Sequence, residues 1–447
     1  MASENPRRSS QVKQKNTPNK ASRPDAGLTT MVSVIALLFP LMAQADEQIE
    51  EIMVTAQKRA QSLQDVGITM SALTGDDLKN LNVSEVQSVA ANVPNVQVNY
   101  GFGQNAFNIR GMGMNEFAAN LDSPVAVHLD EVYISKNFMT TLMLFDIDRV
   151  EALKGPQGTL FGRNTTGGSI NFFTKRPTDE LHAGTTIGYG NYNTFRGEAF
   201  VSGPLADKLS GRLSAFVEDQ GKGFYHNLTR GDTEGRSKKF ALRAQLAWHN
   251  EATHILGSFH YGKDKSEMPP YEGVGVFTPA SLAAGQPAFC AEYLNGTVNG
   301  GTANCVRGID GINPGDNNPY TSNGNLLHKA DNTSTGGMLR IEHDLESATL
   351  AAITGYEHFD RAQQEDSDGS PYRTIEVYWN QKINQFTQEV RLTSTGDGIW
   401  NYVLGGFYEH DSLKNGDYLS VAAGAAPGYF TSYGQKVDAA SLFFHNS

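Results

Sequence analysis

The sequence predicts a small α+β domain followed by a long antiparallel β region whose strands alternate like those of a membrane barrel. Three observations carry that expectation. The 447 residues are glycine-rich and aromatic, with 46 Gly and 10% Phe, Trp and Tyr. Hydrophobic residues make up 39% and mean hydropathy is −0.40, and no stretch reaches the ~20 apolar residues that a membrane helix needs. At about residue 182 the hydrophobic pattern changes to a period of two. Composition excludes other classes. Lys and Arg number 36 against 48 Asp and Glu, a net charge of −12, which lacks the basic face of a general nucleic-acid binder. Two cysteines are too few for a disulfide scaffold.

The chain opens on a leader. Residues 1–30 carry Arg7, Arg8, Lys13, Lys15, Lys20 and Arg23; a short apolar run follows from Met31 to Met42, then Ala43-Gln44-Ala45. A positive head, a short apolar middle and an A-x-A site make a secretory signal, so residues 1–45 are expected to be removed near Ala45. Residues 46–60 are polar and extended, with one β-prone run, Glu51-Ile52-Met53-Val54-Thr55-Ala56.

Residues 61–180 mix short helices and strands. Thr74 and Asp77 are spaced as a capping box, as are Ser84 and Gln87. Leu78, Leu81, Val86 and Val89 supply the apolar face, and Pro94 ends the stretch. Strands are expected around Phe107–Arg110, Ala126–Leu129, Val150–Leu153 and Ser169–Thr174. Asp130-Glu131 reads as a turn.

In residues 181–447 the alternation is regular. Leu209, Gly211, Leu213, Ala215 and Val217 alternate with Ser210, Arg212, Ser214, Phe216 and Glu218. Phe240, Leu242, Ala244, Leu246 and Trp248 alternate with Lys239, Ala241, Arg243, Gln245 and Ala247, and Phe386, Val390 and Leu392 alternate with Thr387, Glu389, Arg391 and Thr393. Successive strand side chains face opposite ways, so each segment has one apolar and one polar face. A soluble sandwich alternates too, but its strands usually run ~5–6 residues. Here the segments are longer, tight turns (Asp207-Lys208, Asp344–Ser347) alternate with long irregular stretches (263–332, 361–381), and that asymmetry is the barrel habit.

One stretch is specific enough to identify. Residues 146–177 run through Val150-Glu151-Ala152-Leu153-Lys154-Gly155-Pro156-Gln157-Gly158, then Leu160-Phe161-Gly162-Arg163, then Gly167-Gly168. This is a strand, a turn, a glycine-punctuated loop and a second strand. Gly162 and Gly167 have phosphate-loop spacing, but Gly168 stands where that loop needs Lys. The stretch resembles the plug domain of TonB-dependent outer-membrane receptors. Asn108-Ile109-Arg110-Gly111 is similar to another plug segment, as is Pro124–Tyr133, where His128 replaces the usual Tyr and Glu131 the usual Gly. Glu51–Ala56 resembles the TonB box, and Phe386–Ser394 with Trp400–Tyr408 resemble paired barrel strands.

The resemblance implies a plug at 61–180, marked by Arg110, Gly111, Gly155, Pro156, Gly158, Gly162, Arg163, Gly167 and Gly168, seated in a lipid-embedded barrel in the outer membrane. It implies energised uptake of a scarce ligand, most readily a ferric siderophore, with periplasmic TonB pairing to residues 51–56. An extended segment carrying Ile52, Val54 and Thr55 offers its backbone to a partner's sheet edge. Ligand contacts are expected at the plug apices, Asn115, Phe117, Asn120, Lys136, Phe138 and Met139; the same residues could instead pack against the barrel.

The histidines are scattered, and no nucleophile, acid pair or metal spacing marks an enzyme or a cofactor site. Cys290 and Cys305 share one long loop and in an exported chain are expected to form a disulfide, with free thiols or a metal pair as the alternative. About ten strand-like segments follow residue 182, against 22 in the family's barrel, so the chain is expected to be an incomplete reading of a longer one. A secreted β-rich binding or adhesion protein is the competing class.

Overall fold

The computed structural model describes residues 52–447 except 60, 82, 84, 115, 117, 143, 272–277, 279, 281–288, 296–317, 370, 372, 374, 396–399, 422–427 and 447. The expected leader, the residues after it and Glu51 lie outside the described residues.

The N-terminal half of the fold is built from short pieces. Strands β1 (Met53–Val54) and β2 (Gln61–Ser62) form a two-stranded ladder. Strand β3 (Met70–Thr74) leads into helix α1 (Gly75–Asn80), whose N-cap is Thr74 with Asp77 completing the capping box. Helix α2 (Val86–Asn92) follows Glu85, which makes no side-chain cap hydrogen bond; Ser84, the expected cap, lies outside the described residues. The Glu85 carboxylate accepts from Lys239 Nζ of the barrel at 3.2 Å.

Strands β4 (Val96–Gly101), β5 (Gln104–Ile109) and β6 (Met112–Gly113) make a small antiparallel sheet. Strands β7 (Val125–Leu129), β8 (Val132–Ile134), β9 (Ile147–Lys154) and β10 (Gly168–Thr174) join β3 in a five-stranded sheet of order β3-β9-β10-β7-β8. Within this sheet only β10 and β7 pair in parallel. Between β9 and β10 lies one helical turn, α3 (Gly158–Phe161). All four strands expected from the sequence are present, each starting one to three residues early.

The rest of the described chain is one antiparallel meander. Its ladder runs β11 (His182–Gly190), β12 (Thr194–Ala206), β13 (Leu209–Gln220), then β16 (Lys238–His249), β17 (Thr253–Asp264), β20 (Asn332–Asp344), β21 (Ala348–Asp366), β22 (Ile375–Ser394), β23 (Tyr402–Val421) and β24 (Tyr429–Asn446). The short strands β14 (Tyr225–Asn227), β15 (Thr233–Glu234) and β18 (Thr321–Ser322) form a separate sheet in the long connections, and β19 (Lys329–Ala330) flanks β21. Among the described residues β11 and β24 are the unpaired edges, so the sheet curves around the plug without closing.

The alternation read from the sequence sorts the two faces. Leu213, Leu246 and Val390 are 47%, 54% and 44% exposed, whereas their neighbours Arg212, Gln245 and Arg391 are buried. The polar face is the covered one because the plug fills the concavity. The tight turns at Asp207-Lys208 and after Asp344 are as expected. The irregular stretch expected at 361–381 is shorter: β21 continues to Asp366 and β22 begins at Ile375. The polar residues of this stretch alternate in a ladder, with Arg361, Gln363 and Glu365 facing inward and buried. The plug core is continuous with the barrel lining, since Phe359, Ile383 and Leu413 from three barrel strands pack with Val127, Val150, Ile170 and Phe172.

Candidate functional site

The candidate box segment sits at one end of the barrel, docked on the plug. Val54 is fully buried and Ala56 nearly so, in a cluster with Leu153 that Ile52, Leu63, Ile68 and Met70 complete. Two register pairs, Met53 with Ser62 and Val54 with Gln61, hold its backbone. A side chain holds it too. Thr55 donates its backbone N–H to Glu151 Oε1 at 3.0 Å. Arg149 donates Nε to the same oxygen at 2.8 Å and Nη2 to the Thr55 hydroxyl at 3.2 Å. Glu151 is fully buried on β9. Burial pushes its carboxyl up, against the opposing pull of Arg149 and the Thr55 hydrogen bonds.

Three residues further along the chain, a charge cluster ties the segment to both plug and barrel. Lys58 Nζ lies 3.5 Å from Glu131 Oε2 and 3.3 Å from Glu389 Oε2, with its side chain 2% exposed. Glu131 also receives Arg340 and Arg391 from the barrel wall. Burial would raise the Glu131 carboxyl, but Arg340, Arg391 and Lys58 together hold it well below the usual carboxylate range. Asp130 and Glu131 have φ of 48° and 71°, both left-handed, as the two-residue turn between β7 and β8 requires. The turn expected from the sequence is thus present, and it also aims a carboxylate into the barrel wall. The other turn residue, Asp130, accepts the backbone N–H of Thr174 at 2.8 Å and its hydroxyl at 2.7 Å. Gln245 of the barrel donates to that same hydroxyl oxygen at 2.9 Å.

The glycine-punctuated loop is folded back on itself. Gly155 has φ +104° and donates its N–H to the Gly167 carbonyl, while Gly167 donates to the Pro124 carbonyl. Gly158 opens α3 just past Pro156, and Gly162 ends it with φ +76°. Arg163 pairs with Asp122 at 2.8 Å and approaches Glu409 of the barrel at 3.6 Å. Arg110 and Gly111 turn the chain at the end of β5 with φ of 53° and 81°.

At the opposite end of the barrel the β4–β5 hairpin tip is gripped by the wall. Phe102 lies against Tyr271 and Trp379, with ring centroids 5.9 and 6.4 Å apart. Arg361, stacked between Phe138 and Trp379, donates to the Phe102 carbonyl. Beside the hairpin a cavity of about 560 Å³ opens between plug and barrel, lined by Tyr100, Asn105, Glu218, Phe224, Arg236 and Lys239 among others.

The expected contact residues are dispersed. Phe138 and Met139 are buried in the core shared with the barrel, and Lys136 is buried against Asp122 at 2.7 Å. Phe138 meets Phe359 of the barrel wall, with ring centroids 5.7 Å apart, whereas Lys136 is held within the plug. Asn120 is exposed near Tyr433 and Gln435 of β24. Asn115 and Phe117 lie outside the described residues. Cys290 is held in a disulfide, while Cys305 lies outside the described residues. His128 is a packing residue, its Nδ1 3.1 Å from the Ser169 hydroxyl and its ring against Tyr133 and Phe161. No group of His, Cys, Asp or Glu among the described residues is arranged to hold a metal.

Sequence reading passed over Glu151 and treated Glu131 as a turn only. The signal for Glu151 was available: a carboxylate inside the apolar run Val150–Leu153 needs a buried partner. Arg340 and Arg391 carried no such signal, because inward-facing charges are ordinary in a barrel lumen.

This is the architecture of TonB-dependent receptors, and residues 62–169 match the family model "TonB-dependent Receptor Plug Domain". The chain is 28% identical over 155 residues to the "Ferripyoverdine receptor" of Pseudomonas aeruginosa, covering 34% of this chain and 18% of that one. It is 28% identical over 231 residues to the "Iron-regulated outer membrane virulence protein" of Vibrio cholerae, covering 47% and 34%. Among solved structures, the ferric yersiniabactin uptake receptor FyuA of Yersinia pestis aligns with TM-score 0.63 at 14% identity, over 85% of this chain and 61% of that one. The chain thus spans a fifth to a third of the length of these curated relatives and under two thirds of that solved chain. Residues 62–169 thus form a TonB-dependent receptor plug domain, and the strands that follow share the fold of the solved receptor.

Proposed function

We propose that this protein is a receptor and transporter that carries a ferric siderophore across the outer membrane, with TonB supplying the pull. The observation that carries the reading is the two-ended plug. A short strand with β-branched residues is docked at one end, and a clamped hairpin beside a cavity stands at the other. On this reading the box end faces the periplasm and the cavity end receives the ligand. Pulling on Ile52–Ala56 meets Lys58 within a few residues, and through it the Glu131 turn that Arg340 and Arg391 hold to the wall. The box would bind TonB by strand addition, through main-chain hydrogen bonds. Cys290 and Cys305 would pair and brace the long loop of the ligand-receiving end, and the plug would extend over 61–180.

The test uses Val54→Pro. Proline fixes φ and removes the amide donor, so strand pairing with TonB fails while the opposite end is untouched. Uptake of radioactive iron as a siderophore complex should fall to the level of cells lacking TonB, and binding of the same complex to outer membranes should be unchanged. Uptake that persists in Val54→Pro overturns the reading.

A further inference from the structure

Beneath the box segment lies an interaction that neither strand pairing nor apolar packing requires. The β1–β2 ladder is only two residues long, too short to hold an edge strand by itself. The backbone amide of Thr55, immediately after that ladder, is taken up by a carboxylate: Glu151 Oε1 accepts it at 3.0 Å. That oxygen is in turn oriented by Arg149, whose guanidinium Nε lies 2.8 Å away. Arg149 is itself fixed over the Phe173 ring at 4.0 Å and reaches the Thr55 hydroxyl. Glu151 Oε2 has no hydrogen-bond partner among the described residues. A fully buried carboxylate with one oxygen unpaired is costly to keep, and the contacts that offset this cost are Arg149 and the box.

We propose that Glu151, oriented by Arg149, is the positioning residue that holds the box on the plug and keeps its Thr55 amide from a partner's sheet edge. The inference rests on reading Ile52–Ala56 as the TonB-binding segment. A β-edge partner needs the backbone donors of that segment, and the docked state gives one of them to Glu151. Release of the box and loss of the Glu151–Thr55 bond are then one event. Val54 leaves its apolar seat in the same step, because residues 54 and 55 cannot move independently. Charge-assisted bonds of this kind are the stronger class, so the clasp weights the equilibrium toward the docked state until another input shifts it.

The experiment uses the full chain in outer-membrane vesicles. Ala56→Cys places a reporter at a buried box position, and Ala126→Cys places one on buried β7. Maleimide labelling of each site is read by mass spectrometry in the parent, in Glu151→Gln and in Arg149→Gln. The Gln variant is nearly isosteric, so folding is preserved, and Arg149→Gln attacks the clasp from its other half. Labelling at position 56 should rise about tenfold in both, with position 126 unchanged. The isolated periplasmic domain of TonB should bind both variants more tightly than the parent without siderophore, and this binding should disappear when Val54→Pro is added. No rise at position 56 in either variant overturns the proposal, as does a parallel rise at position 126, which would mean general loosening of the plug. If position 56 opens but TonB-domain binding survives Val54→Pro, the box reading fails, and the proposal falls with it.

Discussion

Gly168 opens β10 with φ +145°, and a Cβ there would lie 2.2 Å from the Leu153 carbonyl oxygen of the paired strand. Neither the backbone angle nor the space admits a side chain. Gly168→Ala should therefore destabilise the plug by about 3 kcal/mol or more, read as a lower urea midpoint for plug unfolding in detergent. A neighbouring residue makes a pH prediction. Burial, aided by the Lys58 charge, lowers the His128 pKa to about 3. The unfolded chain binds a proton at this site from about pH 6.5, the folded one only near pH 3. Between those values the unfolded state holds more protons, so the His128 contribution to stability is complete above pH 6.5 and is lost progressively on acidification. His128→Gln should flatten the pH dependence of unfolding in that window. The glycines were legible in the sequence as punctuation of a loop, but the close packing at Gly168 was not. Spacing can mark a loop; the distance to Leu153 comes from the partner strand.

Single elements show how far local rules reach. The Thr74–Asp77 capping box was legible and is present, because both partners lie within one turn. Thr74→Ala should cost about 1 kcal/mol, measurable by the same urea titration. The Ser84 of the second expected box lies outside the described residues, and the neighbouring Glu85 instead meets Lys239 across 154 residues of sequence. The β7–β8 hairpin combines both cases. Its turn was readable from Asp130-Glu131, but the two arginines that converge on Glu131 come from β20 and β22. Removing one member of a buried ion cluster leaves the others uncompensated. Glu131→Gln keeps the turn's shape and removes the charge. It should destabilise plug seating by about 3–5 kcal/mol, seen as release of the plug at lower urea while the strand signal in circular dichroism persists.

Across the whole molecule the two faces of the meander obey different chemistry. Leu246 is 54% exposed on the outer face while its neighbour Gln245 is buried against Thr174 of the plug. Arginine at Leu246, three residues from the end of its strand, should cost less than the about 2–4 kcal/mol of a midplane charge, read as a modestly reduced folding yield into lipid vesicles. The same replacement at Gln245 should leave insertion intact and disturb plug seating instead. The apolar face was legible from periodicity alone. That the polar face is covered by a folded plug, with Phe359, Ile383 and Leu413 entering its core, was not, since alternation gives each strand two faces and does not say what lies beyond either.

The sequence alone determined the period-two strands, the turns and the glycine loop of the plug, because each is set by neighbours within a few residues. Only the tertiary structure decided where the candidate box rests, which charges meet at Glu131 and Glu151, and which apical residues are buried. Those outcomes depend on side chains brought together from as much as 331 positions apart. Burial then makes each unpaired charge expensive, so the partner chosen across the fold outweighs the local preference.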